Sequence, residues 1–105
     1  MKQIPFDQAR KTTGAVLIEF YASWCPHCQR MMPVVEEVRE LLGGMAPVYQ
    51  YDIDKNQAAA KEANVESIPT FIIYDNDREV WRHTGEIDGQ ELVNAVQAAM
   101  SAYAE

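Results

Sequence analysis

The sequence predicts an α/β domain in which a central mixed sheet carries helices on both faces. Three observations predict it. Residues 15–21 (Ala-Val-Leu-Ile-Glu-Phe-Tyr) are nearly continuously apolar, which suits a strand covered on both sides. Strand-like and helix-like segments alternate along the chain. The length of 105 residues allows one core and is short of a second, so residues 1–105 are expected to form a single domain.

Each element follows from local pattern. Residues 2–4 read as a short edge strand ended by Pro5, and Phe6 to Lys11 as a short helix stopped by Thr12-Thr13-Gly14. After the buried strand, a helix is expected from about Cys25 to Leu42. Met31, Val34, Val35, Val38, Leu41 and Leu42 recur there at helical spacing, and Gly43-Gly44 end it. Pro33 lies inside this helix and should kink it, because it lacks a backbone donor. Residues 47–53 alternate like a strand, and Asn56 to Asn64 make a short helix with Asn56 as its cap. Thr70 to Tyr74 is a strong strand, Asp75-Asn76-Asp77-Arg78 a turn, and Glu79 to Thr84 a returning strand. Residues 88–103 form an Ala-rich helix with Leu92, Val93, Val96 and Met100 facing inward.

Composition excludes several functions. The net charge of −7, with Lys and Arg scattered, argues against a nucleic-acid partner. No segment approaches the ~20 apolar residues needed to cross a bilayer, so no membrane association is expected. The N-terminal residues Met1 to Asp7 contain no apolar signal core, and a cytoplasmic location is the expectation; an export signal removed beforehand would leave no trace.

The chemistry concentrates in Trp24-Cys25-Pro26-His27-Cys28. These are the only cysteines, and a bridge across two intervening residues closes too small a loop to constrain the unfolded chain much. A pair at this spacing, where a strand gives way to a helix, suits cycling between dithiol and disulfide. Cys25 would sit at the helix N-terminus, where unpaired N–H groups and the helix dipole favour a negative sulfur. Pro26 falls near the first helical position, which needs no donor. Cys28 lies about one turn later, within reach of a mixed disulfide on Cys25. Cys25 is therefore expected to be the exposed nucleophile and Cys28 the buried resolving thiol. His27, if protonated, adds positive charge beside Cys25 and makes the disulfide more oxidising.

Glu19 is the only charged residue in the buried strand, where a carboxylate is costly unless protonated or hydrogen-bonded. Desolvation should raise its proton affinity and fit it to take the proton of Cys28, directly or through water. Ile68-Pro69 precedes an apolar strand, and the residues alone leave cis and trans equally open. Metal binding by Cys25, Cys28 and His27 is disfavoured, because three ligands on one turn cannot close a tetrahedral site. His83 reads as a surface residue.

Taken together, Phe20-Tyr21-Ala22-Ser23-Trp24-Cys25-Pro26-His27-Cys28, Pro33, Ile68-Pro69-Thr70 and Gly85 resemble the thioredoxin family over roughly residues 2–103. The resemblance implies the thioredoxin fold, with four or five strands and helices on both faces. It implies a cis Pro69 packed against Cys25, and a shallow apolar docking groove of Trp24, Pro26, Ile68, Pro69 and Gly85. A client's extended segment would hydrogen-bond to the backbone around Ile68. Glu19 falls where the family places a buried acid, usually aspartate. The expected function is thiol–disulfide exchange with protein clients through a redox-active Cys25–Cys28 disulfide. No further cofactor is expected, a thioredoxin reductase or another dithiol donor is the electron source, and the chain is expected to act as a monomer.

The chain departs from the family pattern in places. Pro26-His27 replaces Gly-Pro and resembles the dipeptide of periplasmic disulfide oxidases. Those families differ in potential from thioredoxin by about 150 mV, or about 7 kcal/mol for two electrons, and this chain is expected to lie between them. Their inserted helical domain has no room in 105 residues. Gln50 stands where a lysine commonly neighbours the buried acid, which should make Glu19 easier to keep protonated. Glu66 and Glu86 bring acidity to the groove rim and would make thioredoxin reductase a poor partner. The rival readings are a disulfide donor of the oxidase or isomerase kind, and a non-catalytic adaptor that uses the fold to bind partners.

Overall fold

The computed structural model describes residues 3–101. The elements are α1 (Phe6–Ala9), β1 (Ala15–Tyr21), α2 (Pro26–Leu42), β2 (Val48–Asp52), α3 (Gln57–Glu62), β3 (Thr70–Asp75), β4 (Arg78–Thr84) and α4 (Gly89–Ser101). They build a thioredoxin fold, whose four strands are ordered β2-β1-β3-β4. β1 runs parallel to β2 and antiparallel to β3, and β4 returns antiparallel to β3. The sheet is therefore mixed, with β1 and β3 in the middle.

The central strands are apolar because both of their faces are covered. Alternation along β1 sends Ala15 and Leu17 to one face, against Val35, Val38 and Leu42 of α2 and Leu92, Val93 and Val96 of α4. Val16, Ile18 and Phe20 point to the other face, with Phe6 and Ala9 of α1 and Ala59 and Ala60 of α3. On that second face Phe6 meets Phe20, Tyr51 and Tyr74 edge-on at ring-centroid separations of 5.3, 5.9 and 5.9 Å. The Tyr51 hydroxyl, inside this apolar layer, donates to the Ile4 carbonyl at 2.7 Å. The two long helices pack closely at Gly89, where a Cβ would lie 3.1 Å from Val34 Cγ1.

The β3–β4 hairpin turns through Asn76 and Asp77, both with positive φ (50° and 69°). That backbone matches the twist of a tight two-residue hairpin, and Asn and Asp tolerate it.

Several expectations need correction. Residues 3 and 4 form no strand, and Lys2 lies outside the described residues. Instead the Gln3 carboxamide bonds both the N–H and the carbonyl of Gln50, imitating one step of strand pairing on the outer edge of β2. α1 stops at Ala9, because Thr12, Thr13 and Gly14 follow too closely to sustain a second turn. α2 begins at Pro26, with Cys25 as its N-cap rather than its first residue, and runs through Pro33 to Leu42. Leu41 does not join the core but is exposed (55%), one position before Leu42 and off the buried stripe that Val38 and Leu42 complete. Asn56 occupies the N-cap of α3 but makes no capping bond; its side chain donates to the Asp52 carbonyl at 2.9 Å. The expected helical residues 102 and 103 lie outside the described residues.

Leu17 is fully buried between the sheet and the α2–α4 layer. Leu17→Ala should lower the unfolding free energy by about 3 kcal/mol, whereas Leu41→Ala should change it by less than about 0.5 kcal/mol. Urea denaturation followed by circular dichroism measures both. Equal losses at the two positions would contradict this packing.

Candidate active site

β1 ends at Tyr21, and the four residues that follow lead into α2. Cys25 is the N-cap of that helix, in extended backbone (φ −85°, ψ 117°), with Pro26 at the first helical position. The Cys25 N–H donates to Ala22 O at 3.2 Å, which closes the turn out of the strand. Cys25 Sγ in turn accepts the Cys28 backbone N–H at 3.4 Å. The sulfur thus takes the place of a capping oxygen, where the helix end favours negative charge.

Both cysteines are free thiols, and both are buried. The expectation of an exposed Cys25 is corrected: the residue is only 4% exposed, against 2% for Cys28. Capping turns the Cys25 side chain inward, and Ile68, which packs beside it, covers it. Cys25 Sγ lies 4.0 Å from the Ile68 carbonyl oxygen. Burial, the hydrogen bond with Cys25 and nearby negative charge, including that of Glu19, push the Cys28 thiol up to about 12. Cys28 therefore holds its proton at neutral pH and needs a base before it can attack.

Glu19 supplies a candidate. It is 2% exposed, on the same face of β1 as Leu17, beneath α2. Burial raises its carboxyl from an ordinary value of 4.5 to about 7, against the opposing pull of a Gln50 hydrogen bond and the Arg39 charge. Parallel register places Gln50 beside Glu19, and Gln50 Nε2 donates to Glu19 Oε1 at 2.9 Å. The position lacks a lysine, but a cation stands behind it. Arg39 Nη2 donates to Gln50 Oε1 at 3.0 Å and to the Val48 carbonyl at 3.2 Å.

The Ile68–Pro69 bond is cis. Thr70 Oγ1 anchors the end of this loop, bonding the Ser67 carbonyl and lying 3.1 Å from Thr84 Oγ1 on β4. The Gly85 N–H donates to the Pro69 carbonyl at 2.8 Å, and the φ of +102° at Gly85 suits glycine alone without strain. Ile68, Pro69 and Gly85 are thereby brought to the Cys25 side of the sheet. Trp24 is 63% exposed, yet its indole N–H is held by Asp54 Oδ2 at 2.8 Å. Pro26 is exposed at the helix start.

His27 is exposed and engaged. Its Nδ1 lies 2.7 Å from Glu86 Oε2, and the same oxygen accepts from Arg30 Nε at 2.9 Å. Arg30, and then His27, hold the Glu86 carboxyl down to about 2. Glu86 is therefore a paired anion rather than free rim acidity, while Glu66 is exposed. His83 is half-buried, stacks on Trp81 at a centroid distance of 6.1 Å, and its Nε2 lies 3.2 Å from the Glu86 carbonyl oxygen.

Arg39, Asp54 and the pairing of Glu86 with His27 escaped the sequence reading. Arg39 left one signal: it lies eleven residues after Cys28, three helical turns along the same face. Among the described residues, no group of three or more His, Cys, Asp or Glu side chains could hold a metal ion. No described helix is long and apolar enough to cross a membrane.

A raised carboxyl ties stability to pH. The native state holds more protons on Glu19 than the unfolded chain between about pH 4.5 and about pH 7, so this contribution to stability falls as pH rises through that window. Its size is on the order of 3 kcal/mol. Glu19→Gln should flatten the decline between about pH 4.5 and about pH 7 in urea titrations. An unchanged slope would show that Glu19 titrates as an ordinary carboxylate.

Comparison with known proteins agrees with this geometry. A family model described as Thioredoxin matches residues 2–98. Chloroplastic thioredoxin Y of Oryza sativa subsp. japonica is 35% identical over 96 residues, which cover 90% of this chain and 57% of that protein. The chain thus spans little more than half the length of that plant relative. The thioredoxin of Chlamydia trachomatis is 34% identical over 84 residues, 80% of this chain and 81% of that one. Among solved structures, a mutant thioredoxin from Halobacterium salinarum superposes with a TM-score of 0.83 at 31% identity, covering 95% of this chain and 87% of the other. The oxidised thioredoxin of Plasmodium falciparum gives a TM-score of 0.78 at 25% identity over 90% of this chain and 89% of that one.

Proposed function

Because the chain belongs to the thioredoxin family, we propose that it is a thiol–disulfide oxidoreductase acting on protein clients. The observation that carries this reading is the stacking of three groups at the head of α2: a sulfur in the N-cap, a second thiol one turn inside, and a buried carboxyl beneath. Cys25, as thiolate, attacks a client disulfide; one client sulfur leaves as a thiolate, and a Cys25–client mixed disulfide forms. Glu19 takes the proton of Cys28, directly or through one water. The Cys28 thiolate attacks Cys25 Sγ, the second client thiolate leaves, and Cys25 and Cys28 end as a disulfide. Two electrons have passed to the client, and an external dithiol such as a thioredoxin reductase restores the pair. Ile68, which packs beside Cys25, and the exposed Trp24 and Pro26 serve as the client groove, while Pro69, expected to line it, is buried.

The Pro26-His27 dipeptide supports a couple more oxidising than ordinary thioredoxin. Arg30 brings a cationic side chain to the first turns of α2, and His27 adds a second one only when protonated; Glu86 offsets part of this charge. Arg30 also feels the charge of Cys25.

Insulin reduction with dithiothreitol tests the activity. The parent should accelerate precipitation, Cys25→Ser should abolish the acceleration, and Cys28→Ser should accumulate a mixed disulfide. A rate no higher than with dithiothreitol alone would return the chain to the adaptor reading. Equilibration in glutathione buffers should give a potential above the roughly −270 mV of thioredoxin, and His27→Pro should move it downward. A parent value at or below that level would reject the role given to His27.

A further inference from the structure

We propose that Arg39 is a positioning residue for the exchange reaction: by fixing the amide of Gln50 in one orientation it keeps a hydrogen-bond donor on Glu19, and so governs when Glu19 accepts the proton of Cys28. This inference rests on the proposed exchange chemistry and adds two residues to it.

The argument begins with donors and acceptors. A guanidinium can only donate. Arg39 Nη2 lies 3.0 Å from Gln50 Oε1, so the amide must turn its oxygen to Arg39 and its NH₂ to Glu19, where Nε2 stands 2.9 Å from Oε1. The donated bond favours the carboxylate over the acid. Without Arg39 the amide is free to rotate and offer its oxygen, which favours the protonated acid instead. The relay thus converts the presence of a cation into the orientation of a neutral group.

The geometry is held on both sides. Arg39 is fixed by the Val48 carbonyl at 3.2 Å and by an ion pair with Glu36. The Gln50 backbone is gripped by the Gln3 carboxamide. Helical side chains lean toward the N-terminus, so Arg39 reaches back along α2 toward the sheet position of Glu19. Gln3, Tyr21, Glu36, Arg39, Val48 and Gln50 line a surface cleft of about 420 Å³, so the outer end of the relay meets water.

Few other groups bear on Glu19. Tyr21 on β1 and Cys28 on α2 both sense its charge. Glu36 on α2 is bound to Arg39. On β3 the partner across the register is Phe71, and the buried residues α4 brings to this face are Leu92, Val93 and Val96. Neither β3 nor α4 therefore supplies a competing charge at this point.

The test follows the Glu19 carboxyl by carbon-13 NMR in the reduced full chain, with Glu19→Gln assigning the signal, alongside the pH profile of insulin reduction. Arg39→Met should raise the Glu19 midpoint, and the matching limb of the profile, by about one pH unit. Arg39→Lys should bring both back toward the parent. Gln50→Leu, which removes the amide between Arg39 and Glu19, should raise both as well, and Arg39→Met added to it should raise them little further; Gln50→Leu decides the matter if Arg39→Met does not fold. Midpoints that stay at the parental value in Arg39→Met or in Gln50→Leu, or that rise as much on adding Arg39→Met to Gln50→Leu as they do in the parent, while insulin reduction continues and still depends on Glu19, would overturn the relay. Loss of that dependence in the parent would instead overturn the exchange mechanism on which the relay rests.

Discussion

A carboxyl group sits in the middle of a strand that is covered on both faces, and much of the site follows from that. Water cannot reach Glu19 freely, so its charge must be either neutralised by a proton or supported by neighbours. The sheet provides one neighbour, because parallel pairing of β1 with β2 sets Gln50 at its side. The helix above provides two more: a thiol that holds its proton at one point and a guanidinium three turns further on. The carboxyl is left with a proton affinity close to neutrality, a value that neither full burial nor full pairing would give alone.

The same strand also delivers Cys25. It ends at Tyr21, and the turn closed by the Cys25 N–H on Ala22 O converts an extended backbone into a helix start within four residues. Sulfur then does the work that Ser or Asp oxygen does at other helix starts. Across from it, the Ile68–Pro69 loop is pinned by Thr70 to Ser67 and Thr84 and by Gly85 to Pro69. Both walls of the groove are thus fixed by backbone and hydroxyl bonds, and Trp24 is restrained by Asp54 even though its ring is exposed.

The fold was legible where a local pattern decides the outcome. The unbroken apolar run of β1, the helical stripe from Met31 to Leu42 and the apolar strand β3 each announce burial without knowledge of their partners. The cysteine pair and the lone acid in β1 were legible for the same reason: each is anomalous in its own segment. What escaped depends on register and side-chain direction. Nothing local joins Gln50 to Arg39, Trp24 to Asp54 or His27 to Glu86, since those pairs lie 11, 30 and 59 residues apart. The inward turn of Cys25 was missed because a helix N-terminus is ordinarily an exposed place, and only the capping geometry shows the sulfur tucked beneath it. The first segment misled for a related reason: residues 3 and 4 lie along the sheet edge, but a side chain rather than a strand makes the bonds.

That last arrangement bears on how the sheet ends. β2 is an outer strand of five residues, and such margins invite a foreign strand to add on. With both backbone groups of Gln50 already occupied, an approaching chain finds no continuous row of free partners there. The opposite margin, β4, is guarded differently, by Arg78, Glu79 and Arg82, of which the last two are paired with each other. Polymerisation through sheet extension is thereby discouraged at one border by a plug and at the other by charge.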